Sequence, residues 1–256
     1  MPLTANSLRE LLQVRNLTPL AQYGQNFLVD PSQVDFLVSS LPAGTSEVLE
    51  IGPGLGSVTE NLLSRGIAVT AIEIDRGLCT YLTETFSSDP KFKLISGDAV
   101  TTIPGLPPFR WVIGAIPYNV STPLLTALAL HGSPPEVIVF TTQKEMAERV
   151  CAVPRTKDYN ASSILIQSVY QVGILRKVPR TAFFPQPQVD SAVIRLVRHA
   201  VPLPENLPSF YELLRASFQH RRKALPESLT GEKLRRAEEI SVAEWQNIHQ
   251  KHGRHI

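Results

Sequence analysis

The segment Gly52-Pro53-Gly54-Leu55-Gly56 directly follows the apolar run VLEI and precedes a stretch of helical periodicity. Glycines at a strand-to-helix turn permit a tight bend and a close approach of a ligand, and the first N–H groups of the helix are free to bind it. The alternative is a tight connection that binds nothing. Because residue 57 is serine, the spacing is GxGxG and differs from the GxGxxG pattern of dinucleotide-binding proteins.

Two acidic residues follow the next two apolar runs. Glu73 lies 19 positions after Gly54, where a carboxylate can accept hydrogen bonds from both hydroxyls of a ribose. Asp98 follows the run FKLIS, where its carboxylate can accept the amino group of an adenine. Either acid alone could be a helix cap, which is the commoner role of an aspartate at such a junction. Their matching positions predict a site for an unphosphorylated adenosine group.

An aromatic residue follows the fourth apolar run, in the segment Ala115-Ile116-Pro117-Tyr118. A ring at the carboxyl end of a strand can stack on a nucleic-acid base that has left its helix, while backbone carbonyls reach the edge of that base. The alternative is a turn shaped by proline, with a half-buried tyrosine.

The elements that must position these residues can be read from periodicity. Short apolar runs alternate with helical stretches, at residues 46–52, 67–73, 92–98, 109–115 and 136–142. This alternation predicts an α/β fold with a doubly wound, mostly parallel sheet, in which ligands bind beyond the carboxyl ends of the strands. Helices are predicted over residues 7–17 and after Asp30-Pro31, and residues 161–178 and 191–199 are predicted to be a last pair of strands around the proline-rich segment TAFFPQPQVD.

The C-terminal part differs in composition. Residues 200–208, AVPLPENLP, contain three prolines and are predicted to be a linker. Three short helices are predicted after it, in FYELLRASFQHRRKAL, GEKLRRAEEI and SVAEWQNIHQKH. They are too short for a core of their own and must pack on the main domain. We therefore expect a main domain over residues 1–199, a linker over 200–208 and a small all-helical domain over 209–256.

Charge and cysteine content limit the possible partners. Residues 1–156 carry 10 Lys/Arg and 14 Asp/Glu, whereas residues 157–256 carry 15 and 9. This asymmetry favours a polyanionic partner on the C-terminal half, although a solvated surface explains it equally well. The two cysteines form no CxxC pair, so neither a disulfide nor a metal site is expected.

No apolar run is long enough to predict a membrane span, and the N-terminus has no pattern of a secretion signal. We therefore expect a cytoplasmic protein.

Several sequence blocks occur together in the order found in a known family. They are YGQNFL (23–28), EIGPGLG (50–56), IPYNVSTPL (116–124), QKE (143–145), AFFPQPQVDSA (182–192) and Phe218 with Arg221-Arg222-Lys223. With these blocks the chain resembles the ribosomal RNA adenine N6-dimethyltransferases, and most closely their small-subunit (16S rRNA) branch of the KsgA type. The resemblance covers nearly the whole chain.

The resemblance implies a Rossmann-like class I methyltransferase fold, S-adenosylmethionine as the cofactor and the small ribosomal subunit as the partner of a monomeric enzyme. It implies cofactor contacts at Asn26, Leu28, Gly52, Gly54, Glu73, Ile74, Asp98, Ala99 and Ala115. It implies a catalytic group of Ala115, Ile116, Pro117, Tyr118 and Phe183, with Tyr118 and Phe183 on either side of the target adenine. It also implies RNA contacts at Arg221, Arg222 and Lys223.

The chain departs from the family at one chemically important position. In the family an asparagine precedes the Ile-Pro-Tyr segment, and its side-chain oxygen and a neighbouring backbone carbonyl accept the N–H bonds of the adenine amino group. Here that position is Ala115, so only the backbone acceptor, from Ile116, is expected. Ala115 therefore allows one alternative to the small-subunit dimethyltransferase, an RNA-binding assembly factor with impaired catalysis. A second alternative is the related large-subunit methyltransferase of the antibiotic-resistance type, which the segments GQNFL and VDSA disfavour. Smaller departures, at Asn160-Ala161 and Pro226-Glu227, concern the predicted RNA contacts.

Overall fold

A computed structural model describes residues 10, 12–15, 24–116, 120–201, 203–221 and 223–252. Residues 10 and 12–14 are helical, and the rest of the helix predicted over residues 7–17 lies outside the described residues. Pro117, Tyr118 and Arg222, three of the predicted site residues, also lie outside them.

The centre of the molecule is a seven-stranded sheet with the strand order β4-β3-β2-β5-β6-β9-β7. A separate two-stranded ladder joins β1 to β8. The strands are β1 Phe27–Leu28, β2 Glu47–Ile51, β3 Ala68–Glu73, β4 Phe92–Ser96, β5 Trp111–Ala115, β6 Val137–Gln143, β7 Tyr170–Val178, β8 Phe183–Phe184 and β9 Ser191–Arg198. Strands β2 to β6 are parallel, and β9 is antiparallel to both of its neighbours. The predicted mostly parallel α/β sheet is therefore confirmed.

Helices follow most strands. They are α1 Pro31–Ser39, α2 Ser57–Ser64, α3 Arg76–Phe86, α4 Ala99–Thr102, α5 Ser121–Ala129, α6 Lys144–Val150, α7 Ala161–Val169, α8 Leu207–Phe218, α9 Glu227–Thr230 and α10 Val242–His252. Asp30, Asp75 and Asp98 begin α1, α3 and α4, because each carboxylate accepts hydrogen bonds from N–H groups of the first turn. Two clusters of buried apolar residues cover the two faces of the sheet.

The prediction of a strand over residues 161–178 was wrong for the first half of that segment. Residues 161–169 form the helix α7, and the strand β7 begins only at Tyr170. Asn160 starts the helix with a capping box, in which its side chain accepts from Ser162 and Ser163 N–H and Ser163 Oγ accepts from its backbone N–H. Helix α7 is buried on most sides, so the run ASSILIQSV lacks one polar face and its periodicity does not separate helix from strand.

The C-terminal helices also differ from the prediction. Helix α8 begins at Leu207, inside the predicted linker, because the Asn206 side chain caps it, and it ends at Phe218. The predicted helix over GEKLRRAEEI is absent from these described residues: Gly231 ends α9 in the left-handed region. The chain then returns beside residue 225, where Leu225 N–H donates to Arg235 O (2.8 Å).

The C-terminal elements pack against α7. Phe210 on α8 and Trp245 on α10 are fully buried in the same apolar cluster as Ile164 and Leu165. Tyr159, also fully buried, donates from its hydroxyl to the carbonyl of Ile240 (2.8 Å). Packing on the main sheet unit was predicted, because these helices have too few residues for a separate core.

Two absences concern the described part of the chain. None of its helices has the length and apolar character needed to cross a membrane. Within the same residues no three His, Cys, Asp or Glu side chains are grouped so that they could hold a metal ion.

Candidate active site

A cleft opens at the carboxyl ends of β2, β3, β4 and β5. Its volume, with the open mouth included, is about 780 Å³. Predicted site residues that line it are Asn26, Gly52, Gly54, Glu73, Ile74, Asp98, Ala99, Ala115 and Ile116. The structure thus brings together nine of the residues that sequence reasoning selected, from five separate segments of the chain.

The glycine loop lies against the floor of this cleft. Gly54 has φ 58° and Gly56 has φ 81°, in the left-handed region that side chains disfavour. A Cβ atom on Gly54 would stand 2.8 Å from the ring of Phe27. Glycine at this position therefore serves both the turn and the close approach of the β1 segment.

Glu73 ends β3 and holds the loop in place. Its carboxylate accepts from the N–H groups of Gly54 (3.2 Å), Ile74 (2.9 Å) and Asp75 (2.9 Å). Burial raises the pKa of Glu73, while these N–H donors act in the opposite direction. The carboxylate lines the cleft and is held by backbone groups, so it is preorganised as an acceptor for ligand hydroxyls.

Asp98 combines the two roles that the sequence left open. It caps α4 by accepting from Val100 N–H (2.8 Å), and its exposed carboxylate also lines the cleft. Ile74 is 41% exposed on the same cleft. A charged acceptor and an apolar side chain on one cleft suit the edge and the face of a flat heterocyclic ring.

Ala115 stands where the cleft meets a second recess of about 310 Å³. The neighbouring residue must be glycine for β5 to lie this close to β2. A Cβ atom on Gly114 would stand only 2.4 Å from the carbonyl oxygen of Ile51. Strand β5 can therefore approach β2 closely at its carboxyl end. Leu28 lines the recess and not the main cleft.

Phe183 does not line the cleft or the recess among the described residues. Its side chain is 6% exposed and belongs to an apolar cluster. In the β1–β8 ladder it lies opposite Leu28, so it is adjacent to the recess through that partner. With Tyr118 outside the described residues, the predicted pair of rings around an adenine stays a prediction.

Arg221 has intramolecular partners that the sequence did not predict. Its guanidinium pairs with Glu238 and donates to the backbone carbonyls of Thr156 and Lys157. It therefore ties the segment before α7 to the C-terminal helices. Lys223 is exposed and remains available to a polyanion.

Sequence reasoning missed a buried acid below the glycine loop. Glu50 on β2 is 1% exposed, and Thr59 Oγ on α2 donates to its carboxylate (2.7 Å). Desolvation, together with the nearby Glu73, raises the pKa of Glu50 to about 8. The available signal was an acid inside an otherwise apolar strand, VLEIG, since strands buried on both faces are normally apolar throughout.

Gln25 and Phe27 also line the cleft without having been given a role. Gln25 Nε2 donates to Asp75 Oδ2 (2.9 Å), which links the β1 segment to the start of α3. Their positions beside Asn26 in the YGQNFL block were the only sequence signal for them.

The parallel sheet, the glycine loop and the acids that follow β3 and β4 together define a Rossmann-like methyltransferase of class I. Within that class, the profile of the family described as ribosomal RNA adenine dimethylase matches residues 18–253. The chain belongs to this family.

Individual proteins agree with the family assignment. The ribosomal RNA small subunit methyltransferase A of Clostridium perfringens (strain SM101 / Type A) is 40% identical over 224 residues, which are 85% of this chain and 79% of that protein. The crystal structure of a dimethyladenosine transferase from Plasmodium falciparum has a TM-score of 0.67 at 29% identity and covers 77% of this chain and 72% of its own. The 23S rRNA methyltransferase ErmE has a TM-score of 0.66 at 26% identity, with 88% and 99% covered.

Proposed function

We propose that this protein transfers methyl groups from S-adenosylmethionine to the N6 atoms of adenosines in small-subunit ribosomal RNA, giving dimethyladenosine. The observation that carries the proposal is the acid-flanked glycine cleft that leads directly to Ala115 and Ile116, in a chain 40% identical to a small-subunit enzyme. Identity to the 23S rRNA enzyme is lower, at 26%, which disfavours the large-subunit alternative.

The residues of the cleft fit the cofactor. The preorganised carboxylate of Glu73 suits ribose hydroxyls, and Asp98 with Ile74 suits an adenine edge and face. Asn26 and the glycine loop line the part of the cleft next to Ala115, where the reacting group is expected. When bound, S-adenosylmethionine supplies an electrophilic methyl group on a sulfonium.

The chain itself must orient the adenine amino nitrogen, whose lone pair is delocalised into the ring and is a poor nucleophile. Accepting the amino N–H bonds and holding the base in line is catalysis by orientation and electrostatics. The carbonyl of Ile116 is the expected acceptor, and stacking on Tyr118, with Phe183 on the other side, would hold the base. Ala115 adds no side-chain acceptor.

The test is tritium transfer from labelled cofactor to small ribosomal subunits that lack the dimethyladenosines, with large subunits as the matched substrate control. We expect dimethyladenosine in small-subunit rRNA only. Methylation of large subunits alone would replace the proposal with the large-subunit alternative. No transfer by either this protein or Ala115→Asn, with cofactor still bound, would favour an assembly factor without activity.

The proposal includes the remaining sequence expectations. The main domain is assigned to residues 1–199 and the small RNA-contacting domain to the C-terminal residues predicted as 209–256. The linker predicted over 200–208 is shortened to 200–206, because α8 begins at Leu207. Arg222 and Lys223 are assigned to RNA. The protein is proposed to work as a metal-free monomer in the cytoplasm.

A further inference from the structure

The edge strand β7 carries an unusual density of positive charge. Residues 170–198 contain five Lys/Arg and one acid, Asp190, whereas residues 207–252 contain eight Lys/Arg and six acids. Several cations of the C-terminal helices are already used, since Arg221 pairs with Glu238 and Arg235 pairs with Glu232 and Glu244. The excess charge of the C-terminal half is therefore concentrated on residues 170–198, which run from β7 to the end of β9.

Three cations at the end of β7, namely Arg176, Lys177 and Arg180, form what we term the β7 rim. All three are exposed and none forms an ion pair with another described residue. The guanidinium of Arg176 lies 3.7 Å from the ring centroid of Phe36. Acids near the rim include Asp190, whose Oδ1 accepts from the backbone N–H of Arg180 (3.2 Å), and Asp30, whose backbone N–H donates to the carbonyl of Ala182 (3.2 Å).

The β7 rim lies on the same edge of the sheet as the cleft. Because β9 is antiparallel to both β6 and β7, β7 runs parallel to β6 and ends at the carboxyl edge. Lys177 and Thr142 are both partners of Ala192, and Thr141 is the partner of Ala115. Lys177 is thus level with the residue that follows Ala115, about 14 Å away across three strand spacings.

Exposed apolar side chains lie next to the cations of the β7 rim. Ile174 and Leu175 on β7 are 41% and 43% exposed, and Val189 in the loop before β9 is 37% exposed. A surface that only keeps the protein in solution has no need of them. Exposed cations that form no ion pair among the described residues, beside exposed apolar side chains, suit a polyanion that also presents sugars and bases.

On the basis of the proposed function, we propose that the β7 rim binds phosphates of the rRNA strand a few nucleotides from the target adenosine. The cofactor cleft occupies the ends of β2 to β5. An RNA strand whose base enters beside Ala115 would then continue over the ends of β6 and β7 and the start of β9 between them. The rival explanation is protection of an exposed edge strand from pairing with other chains, for which lysines are commonly used.

The test compares two double variants that remove equal charge. Lys177→Gln with Arg180→Gln removes two of the three rim charges and leaves Arg176 over the ring of Phe36. Lys91→Gln with Lys93→Gln removes two charges at the start of β4. Strand β4 is the opposite edge strand, also three strands from β5, and its start lies at the amino edge away from the cleft. Both doubles should keep the cofactor affinity of the parent. The rim variant should also keep its melting temperature, whereas the control loses the hydrogen bond from Lys91 Nζ to the carbonyl of Gly66 (2.8 Å).

Binding to small ribosomal subunits lacking the dimethyladenosines is measured across a salt series. We expect the rim variant to bind about tenfold more weakly near 0.1 M salt and to lower the slope of log affinity against log salt by about 2, one for each phosphate contact. The β4 control should match the parent. If the parent methylates small subunits but the two doubles bind equally, or if the rim variant only aggregates at unchanged affinity, the rim assignment is wrong while the proposed function stands. If the parent neither binds nor methylates, both are wrong.

Discussion

Ala115 ends β5 with a methyl group at the junction of the cleft and the recess. We expect Ala115→Asn to raise the single-turnover rate of methyl transfer by about 10²–10³. The magnitude follows the known effect of one oxyanion-hole donor, since the asparagine oxygen would be a preorganised acceptor facing the positive charge that develops on the amino nitrogen. The matched control is Ala115→Leu, because leucine is similar in size to asparagine and has no hydrogen-bond acceptor. This variant should give no gain in rate. Cofactor affinity should change little in either. Equal rates for the parent and the asparagine variant would show that another group orients the base.

Glu73 is the residue on which cofactor affinity should depend most. Replacement by alanine removes a charged acceptor and releases the N–H of Gly54. We expect at least tenfold weaker binding of S-adenosylmethionine by calorimetry, because hydrogen bonds to a charged group contribute about 1.5–3 kcal/mol. Glu60→Ala, on the exposed side of α2, is the control. Unchanged affinity in Glu73→Ala would remove Glu73 from the site.

Glu50 should make stability depend on pH. Its folded-state pKa, raised from 4.5 to about 8 by burial, means that the folded protein keeps a proton that the unfolded chain loses above its ordinary pKa. Stability therefore falls as pH rises through this window, by up to roughly 1.4 kcal/mol per pH unit.

Glu50→Gln can still accept from Thr59 and carries no charge, so it should flatten this dependence in urea unfolding between pH 5 and 8. The raised pKa of Glu73 acts in the same direction and leaves a residual slope. An identical pH dependence in the parent and the variant would mean that Glu50 is ionised in the folded protein.

At the scale of elements, the approach of β5 to β2 decides where the reaction site lies. Gly114→Ala would place a Cβ atom 2.4 Å from the Ile51 carbonyl, and overpacking of this kind costs about 1–3 kcal/mol. Gly173→Ala, on β7, has no atom within 4 Å of the added Cβ and is the matched strand control. Urea unfolding should show the loss only for Gly114→Ala. Equal stability of the two variants would mean that β5 shifts without cost.

At the scale of the whole molecule, Arg221 joins the C-terminal helices to the segment before α7. We expect Arg221→Ala to lower the free energy of unfolding by about 1–2 kcal/mol, a value reduced for the partial exposure of the pair. Lys223→Ala, on the exposed surface, should keep stability within about 0.5 kcal/mol and weaken rRNA binding. If Arg221→Ala left the free energy of unfolding unchanged, the ion pair with Glu238 and the hydrogen bonds to the two carbonyls would not contribute to stability.

The sequence alone determined the parallel α/β sheet and most of the cofactor cleft. Strands such as 46–52 and 67–73 are short apolar runs bounded by turn residues, and this information is local. Because parallel strands end at one edge, Glu73 and Asp98 could be placed together before any contact was known. The family blocks added Asn26 and Ala115, which no periodicity indicates.

Only the tertiary structure decided the features that depend on partners far along the chain. The helix Ala161–Val169 could not be separated from a strand, because burial on most sides removes the amphipathic pattern. Arg221 has the sequence context of an RNA contact, yet its partners Thr156 and Glu238 lie 65 and 17 positions away. Strand order follows from packing and not from local pattern, so only the structure places Lys177 and Arg180 at the same edge of the sheet as Ala115.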